Sequence, residues 1–206
     1  DFCLSRGLGD VYKRQASVYW KALPLRTGRY KLNVAVKDVN GDRKGVWSRS
    51  IVVPEYSDDK LATSTLIVAD QMEPVPTKAI GTGNFVIGTM KVRPRVPPAD
   101  GKPAVFKRDK DQKLNFWMQV YNLGVDEKTH KPSATFEYDI TNIATNKSVV
   151  QKVETTDTMG NVGDQLTLQK SIASANLQPG VYKINIKIND NISKQTIDPS
   201  AVFAVE

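Results

Sequence analysis

The chain has 206 residues, of which 40% are hydrophobic and 25% charged, a composition typical of one or two globular domains at ~150 residues per domain. Its apolar runs are far shorter than the ~20 residues of a membrane-spanning helix, and its Gly and Pro contents exclude collagen-like and low-complexity chains. The formal net charge of +7 makes nucleic acid a partner to be weighed, whereas one Cys and one His offer little for catalysis or metal binding.

Residues 1–15 are interpreted as a translated sequencing-adaptor end, because residues 10–15 read DVYKRQ and no hydrophobic periodicity precedes them. We expect this segment to be disordered and to contribute nothing to the fold. Without it the chain loses Cys3, its only cysteine, and with it every disulfide, zinc-thiolate or cysteine-nucleophile hypothesis.

Residues 16–54 predict a single β-hairpin. Apolar side chains alternate along 30–37, which is the period of a half-buried strand, and 47–53 supplies a partner strand. The intervening Asn40-Gly41 favours a type I′ turn. Since an isolated hairpin is at best marginally stable, we expect 16–54 to be the C-terminal hairpin of a truncated β-sandwich domain, either docked on the rest of the chain or mobile.

Residues 55–60 read as a linker, and 61–206 predict a complete all-β domain. Short segments of period-two alternation indicate strands over 64–69, 85–92, 114–121, 134–141, 149–154, 165–168, 181–189 and 201–205. Helix is expected only as single turns at 58–62 and 171–176, and the proline-rich 93–103 reads as a mobile surface loop. This pattern is typical of an antiparallel β-sandwich of the immunoglobulin-like or fibronectin III-like kind.

An internal repeat supports two sandwich units. Residues 25–38 align without a gap with 177–190, each position being numbered 152 higher in the second copy. Both copies contain Leu-x-x-Gly-x-Tyr at the start of an alternating strand, which is similar to the tyrosine corner of immunoglobulin-like sandwiches. The structural residues of these corners are Gly28, Tyr30, Gly180 and Tyr182.

Asp38, Asn40 and Asp42 have the spacing of the first ligands of a calcium loop. The pattern then fails, because Arg43 stands where the turn glycine belongs and Arg49 where a bidentate Glu belongs. The hairpin turn is therefore the favoured interpretation, and no metal site is predicted.

The other candidates for catalysis are equally weak. His130 lies in a polar loop without a second histidine, an orienting partner or a nucleophile, so a surface position is favoured. The paired acids Asp126-Glu127 and Asp58-Asp59 are adjacent in sequence, and on extended chain such carboxylates point apart instead of facing across a substrate. The sequence therefore predicts no catalytic residue, no cofactor and no enzyme activity.

The positive charge does not favour a nucleic-acid partner. The lysines of the predicted strands alternate with apolar residues, as on a solvated sheet face, and 107–113 mixes basic with acidic residues. Arg93 and Arg95 are the only basic residues that a nucleic-acid hypothesis would single out.

One strand carries a polar and aromatic face. If the even-numbered residues of 114–120 face the core, then Asn115, Trp117, Gln119 and Tyr121 share the opposite face. Flat aromatic rings beside amides could bind a glycan by stacking. The favoured alternative is that this face packs on a neighbouring domain or a covering loop, because interfaces also favour Trp and Tyr.

Several stretches carry a resemblance to a known family: 19–26 (YWKALPLR), 66–71 (LIVADQ), 85–88 (FVIG) with 91–94 (KVRP), 118–124 (MQVYNLG) and 126–129 (DEKT). Together they resemble the C-terminal region of GWxTD-domain proteins, large bacterial proteins frequent in Acidobacteria, over about residues 19–206. The GWxTD motif itself is absent, so no functional residue is carried over. The resemblance implies a bacterial origin and export to the periplasm or the extracellular space.

The function expected from the sequence is a non-catalytic structural or interaction module of a bacterial extracytoplasmic protein, with a protein as its partner. One alternative is a carbohydrate-binding sandwich that uses its exposed aromatics on a glycan. Another is an accessory domain of an enzyme whose catalytic part lies upstream.

Overall fold

The computed structural model describes residues 19–98, 101–159 and 163–206, so the adaptor-like segment 1–15 lies outside the described residues. The described chain is all-β, as predicted, with three short 3₁₀ helices at Thr77–Ala79, Thr156–Thr158 and Ser174–Asn176. Its strands in chain order are β1 Gly28–Lys37, β2 Lys44–Val53, β3 Ala62–Thr63, β4 Ile67–Pro74, β5 Val86–Ile87, β6 Met90–Pro94, β7 Ala104–Phe106, β8 Lys113–Tyr121, β9 Ala134–Asn142, β10 Lys147–Thr155, β11 Leu166–Ala173, β12 Gly180–Asp190, β13 Thr196–Ile197 and β14 Ser200–Val205.

Strands β3 to β14 form two six-stranded sheets that pack as a β-sandwich. One sheet has the order β10-β9-β12-β14-β7, with β13 also paired to β12, and the other has the order β11-β8-β4-β6-β5, with β3 also paired to β8. All these pairs are antiparallel except β14 with β7, which are parallel. None of the described residues forms a helix long and apolar enough to cross a membrane.

The core lies between the sheets, and β9 and β12 show it most clearly because they alternate strictly. Along β12 every second residue is buried, and β9 follows the same rule from Ala134 to Ile140. Phe203 of β14 lies at the centre, with its ring centroid 6.2 Å from that of Phe106, 5.9 Å from Phe116 and 5.7 Å from Tyr182. Aromatic pairs at these separations add to the stabilisation that burial alone supplies.

Strands β1 and β2 form a separate two-stranded sheet, with Gly28 opposite Val53 and Lys37 opposite Lys44. The type I′ turn predicted at Asn40-Gly41 is wrong, because the loop spans 38–43 and its positive φ, 49°, falls on Asp42. The Asp38 amide donates to the Arg43 carbonyl at 2.7 Å, and Asp38 Oδ1 accepts the amides of Asn40 and Gly41 at 3.0 and 3.1 Å. The aspartate thus closes a longer loop in which only one residue is left-handed.

Three predicted element boundaries are wrong: those of two strands and one helical turn. The segment 85–92 is not one strand but the β5–β6 hairpin, because Gly88 turns the chain at a φ of 58°. The helical turn expected at 171–176 is restricted to 174–176, since β11 continues to Ala173 on β8. The strand expected at 64–69 begins only at Ile67, as β4, and continues to Pro74 by changing its partner from β8 to β6.

Both Leu-x-x-Gly-x-Tyr segments make the contact of a tyrosine corner. The hydroxyl of Tyr182 donates to the carbonyl of Gln178 at 2.7 Å, and that of Tyr30 donates to the carbonyl of Arg26 at 2.9 Å. Each bond spans four residues and fixes the entry of the chain into β12 or β1. The two corners differ in burial, since Tyr182 belongs to the core and the bond of Tyr30 is exposed.

We therefore expect Tyr182→Phe to lower the free energy of unfolding of the sandwich by about 1 kcal/mol, because the carbonyl of Gln178 loses its hydrogen bond from the buried tyrosine. Tyr30→Phe, its counterpart in the repeat, should leave that unfolding unchanged. Urea denaturation followed by circular dichroism measures both. Equal losses in the two variants would contradict the distinction.

Candidate functional site

The face of β8 that the sequence marks as a candidate binding surface is covered. Trp117 is only 3% exposed and forms a second hydrophobic cluster with Ala69 and Val92. Partly buried side chains of β4, β5 and β6 pack around this cluster, namely Ile67, Met72, Ile87 and Met90. The hypothesis that Trp117 is an exposed platform for stacking on a sugar is therefore wrong, because the β4–β6–β5 extension of the sheet covers its ring.

Asn115 is also used internally. Its side chain is 3% exposed, its Nδ2 donates to the carbonyl of Ala69 at 3.2 Å, and its Oδ1 accepts the hydroxyl of Ser171 at 2.6 Å. These bonds tie β8 to its neighbours β4 and β11. An amide held in this way has little left to offer a ligand.

Gln119 and Tyr121 lie at the half-buried end of the same face. The hydroxyl of Tyr121 donates to Oε1 of Gln119 at 2.6 Å, and the ring meets that of Tyr56 edge-on at 5.6 Å. Burial, with a smaller effect of Tyr56, raises the pKa of Tyr121. Tyr56 belongs to the 55–60 segment. This end of the face is therefore contacted by a covering segment, which is the interpretation that the sequence favours.

Arg93 and Arg95 converge on a single acid. Asp70, at the point where β4 changes partner, accepts Nε of Arg93 at 2.7 Å and lies 3.4 Å from Nη1 of Arg95. Nε of Arg95 donates to the carbonyl of Val105 at 2.8 Å, and the hydrogen bond with Asp70 raises the pKa of Arg93. Because Asp70 engages both guanidinium groups, this pair is a poor phosphate-binding surface.

The polar loop around His130 is closed by the Asp126 side chain, which bonds to backbone amides of the same loop. The carboxylate of Asp126 accepts the amides of Thr129 and Lys128 at 2.8 and 3.0 Å, and these bonds lower its pKa. His130 is exposed, with a φ of 53°. In the ranges that the structure describes, no three His, Cys, Asp or Glu side chains come together as a possible metal site.

A charged cluster that the sequence does not mark connects the outer strands of the two sheets. Glu154 of β10 is 2.7 Å from Nζ of Lys152 and 2.5 Å from Nζ of Lys170 of β11. The Lys170 ammonium also lies 5.6 Å from the ring centroid of Tyr138. Because these residues come from three strands, no local spacing could have indicated them. A surface cavity of about 430 Å³ adjoins Glu154 and Lys170 and is also lined by Met159.

The cluster perturbs two ionisable groups. Burial raises the pKa of Glu154, but the ammonium groups of Lys152 and Lys170 lower it more, to about 2. Burial first, and the neighbouring carboxylate second, raise the pKa of Tyr138 well above its usual range. Glu154 is therefore ionised and Tyr138 neutral at physiological pH, which suits an ion pair that closes the edge of the sandwich.

We expect this cluster to make the stability of the sandwich sensitive to acid. The folded pKa of Glu154, about 2, lies below its ordinary value of 4.5. The carboxylate therefore stabilises the fold above pH 4.5, and this contribution disappears as the pH falls to about 2. Glu154→Gln should lose about 1–2 kcal/mol at pH 7 and almost nothing near pH 2. Urea denaturation at a series of pH values measures the effect, and a loss of equal size at both pH extremes would contradict it.

The β1–β2 hairpin exposes an apolar surface. Val36 is 64% and Trp47 50% exposed, whereas the opposite side of the hairpin carries mostly Lys, Arg, Ser and Asn. We call this surface the hairpin face, and it comprises Tyr30, Leu32, Val34, Val36, Trp47, Ile51 and Val53 together with Arg49. Val34, Val36 and Trp47 are exposed, and the other four apolar residues are half-buried. The segment before the hairpin contacts the sandwich through Trp20, whose ring centroid is 6.2 Å from that of Phe85. Contiguous exposed apolar residues of this kind are typical of interaction surfaces.

No protein-family model matches the chain, and a comparison with curated proteins finds no match.

Proposed function

We propose that the chain is a non-catalytic interaction module of a bacterial extracytoplasmic protein, which serves protein–protein contact or scaffolding. The observation that carries the proposal is the hairpin face, where aliphatic side chains and Trp47 lie in solvent on one side of an amphipathic hairpin. Exposed apolar surface costs roughly 25 cal/mol for each Å², so burial by a partner would be strongly favourable. The bacterial and exported origin rests on the resemblance to GWxTD-domain proteins.

The polar groups that other functions would require make structural contacts instead. Asn115 connects three strands, Asp70 holds two arginines, and Asp126 closes its own loop. These arrangements favour an interaction module over an enzyme. We further propose that the sandwich is immunoglobulin-like, which the tyrosine corner before β12 supports.

A photo-cross-linking experiment tests the interaction function. Benzoylphenylalanine replaces Val36 on the hairpin face or, as a matched control, Val46 on the opposite side, where the side chain is 77% exposed. Both variants are made in the parent protein and irradiated in its bacterial host. We expect position 36 to give a defined adduct, with the cross-linked protein peptide identified by mass spectrometry, and position 46 to give none. Equal adducts at both positions, or none at position 36, would overturn the proposal.

A further inference from the structure

The two halves of the repeat correspond in three dimensions as well as in sequence. In β1–β2 Gly28 lies opposite Val53, and in the closing hairpin of the sandwich Gly180 lies opposite Val205. Both residues of the second pair are numbered 152 higher than those of the first. The correspondence holds to the other end of the hairpins, where Lys37 pairs with Lys44 and Asn189 with Thr196. A one-residue slip in either hairpin would place every side chain on the other face, so this agreement is informative.

The loops of the two hairpins also agree. Asp190 Oδ1 accepts the amides two and three residues further on, at 2.9 and 3.2 Å, as Asp38 Oδ1 does. The amide of each aspartate donates to the carbonyl five residues ahead, at 2.9 Å for Asp190 and 2.7 Å for Asp38. The left-handed residue is Lys194 in one loop and Asp42 in the other, again 152 apart. The two hairpins therefore share their strand register and their loop conformation.

The two hairpins differ in the residues that surround them. Oδ2 of Asp190 accepts the amide of Gly124, from the β8–β9 loop, at 2.6 Å, whereas no described residue donates to Oδ2 of Asp38. Ile188 is fully buried in the sandwich, while its counterpart Val36 is exposed. The β1–β2 hairpin thus has the register and the aspartate-to-backbone loop contacts of a closing hairpin, and it lacks the contacts that a sandwich would give it.

We propose that β1–β2 is the closing hairpin of a second sandwich, and that its hairpin face docks on strands equivalent to β8 and β9 that precede it in the same polypeptide. This inference rests on the proposed interaction function and names the partner. In the complete sandwich, β12 pairs along its second edge with β9 and buries its inner face against the core residues of β8, and both strands precede it in the chain. The missing strands would also supply a loop amide for Asp38.

The charge on the hairpin face argues against a second copy of this chain as the occupant. Arg49 lies opposite Leu32 on this face, in the place that Ala201 takes opposite Ile184 in the sandwich. A symmetric pair of hairpin faces would bring two such arginines into one apolar interface, which is unfavourable. In a second copy, the position beside β9 is already filled by its own β12, which pairs in turn with β14. The partner strands should instead carry an acid or a carbonyl opposite Arg49.

A graft within this chain tests the partner chemistry directly. Residues 28–53 replace 180–205, a segment of equal length, so that the first hairpin must pair with β9 in the place of β12 and β14. The matched control inserts 27–52, which has the same length but turns the charged face inward. Because Arg49 would occupy the half-buried place of Ala201, a second graft carries Arg49→Ala. Urea unfolding followed by circular dichroism, and the dispersion of amide signals in NMR spectra, report on folding.

We expect the in-register graft, or at least its Arg49→Ala version, to unfold cooperatively at a lower urea midpoint than the natural chain. The slipped graft should show no cooperative transition in the sandwich. The proposal is overturned if neither in-register graft folds, or if the slipped graft folds equally well. It is also overturned if ultracentrifugation of the natural chain shows a dimer that Val36→Lys abolishes, because the hairpin face would then belong to a second copy. Cross-linking at position 36 with failure of the grafts would leave the interaction function intact and remove only this choice of partner.

Discussion

Asp190→Ala is expected to lower the free energy of unfolding of the sandwich by about 3–5 kcal/mol. The carboxylate is 2% exposed and lies at the end of β12. It accepts the amide of Gly124 at 2.6 Å, the amides of Ile192 and Ser193 at 2.9 and 3.2 Å, and the Ser193 hydroxyl at 2.7 Å. Alanine would leave these donors without an acceptor, several of them away from water, and each such loss costs about 1–3 kcal/mol.

Two variants separate the contacts of this carboxylate. Asp190→Asn keeps an acceptor for the Ile192 amide but places an NH₂ group opposite a donor, so we expect an intermediate loss of about 1–3 kcal/mol. Asp38→Ala removes the same loop contacts from the exposed hairpin and should leave the unfolding of the sandwich unchanged. Urea denaturation of the three variants, at one pH near neutrality, measures the series. A loss in Asp38→Ala as large as that in Asp190→Ala would show that the loop contacts, and not burial, decide the cost.

The acid dependence of this site has a defined sign. Burial raises the pKa of Asp190, but hydrogen bonds from Gly124, Ser193 and Ile192 lower it more. A carboxylate whose folded pKa is depressed stabilises the fold above its ordinary pKa of 3.8 and loses this effect as the pH falls further. In Asp190→Ala that part of the acid dependence should be absent.

The all-β fold could be predicted from sequence because alternation is a local property. Tyr182 and Ile186 share a face by the geometry of any strand, whatever lies beside them, and their burial follows from that alternation. The prediction failed where a single residue changed the direction of the chain. Gly88 divides an alternating segment into two strands, and its neighbours Val86, Ile87 and Met90 remain apolar on both sides of the turn.

The candidate site was predicted less well because the cover over a strand face is a long-range property. Trp117 and Asn115 were placed on the correct side of β8, but side chains of β4, β5 and β6 pack against Trp117 on that side, and no local pattern shows this packing. The Glu154 and Lys170 ion pair joins residues of two strands that do not pair with each other. By contrast, the repeat allowed the first hairpin to be recognised from the sequence. The two hairpins share their residue spacing, but only the second is packed within a sandwich.

Trp117→Ala is expected to lower the free energy of unfolding of the sandwich by about 3–5 kcal/mol, because it empties the centre of the second hydrophobic cluster. A tryptophan that served only to bind a sugar would be exposed, and its removal would hardly change stability. Trp117→Phe should cost much less, about 1 kcal/mol, because the ring volume is partly kept and the buried Nε1 has no hydrogen-bond partner among the described residues. Thermal and urea unfolding measure both variants, with Val46→Ala on the exposed side of the hairpin as the control. If Trp117→Ala unfolds like the natural chain, the second cluster does not hold β4, β5 and β6 on β8, and the aromatic face is open to a ligand after all.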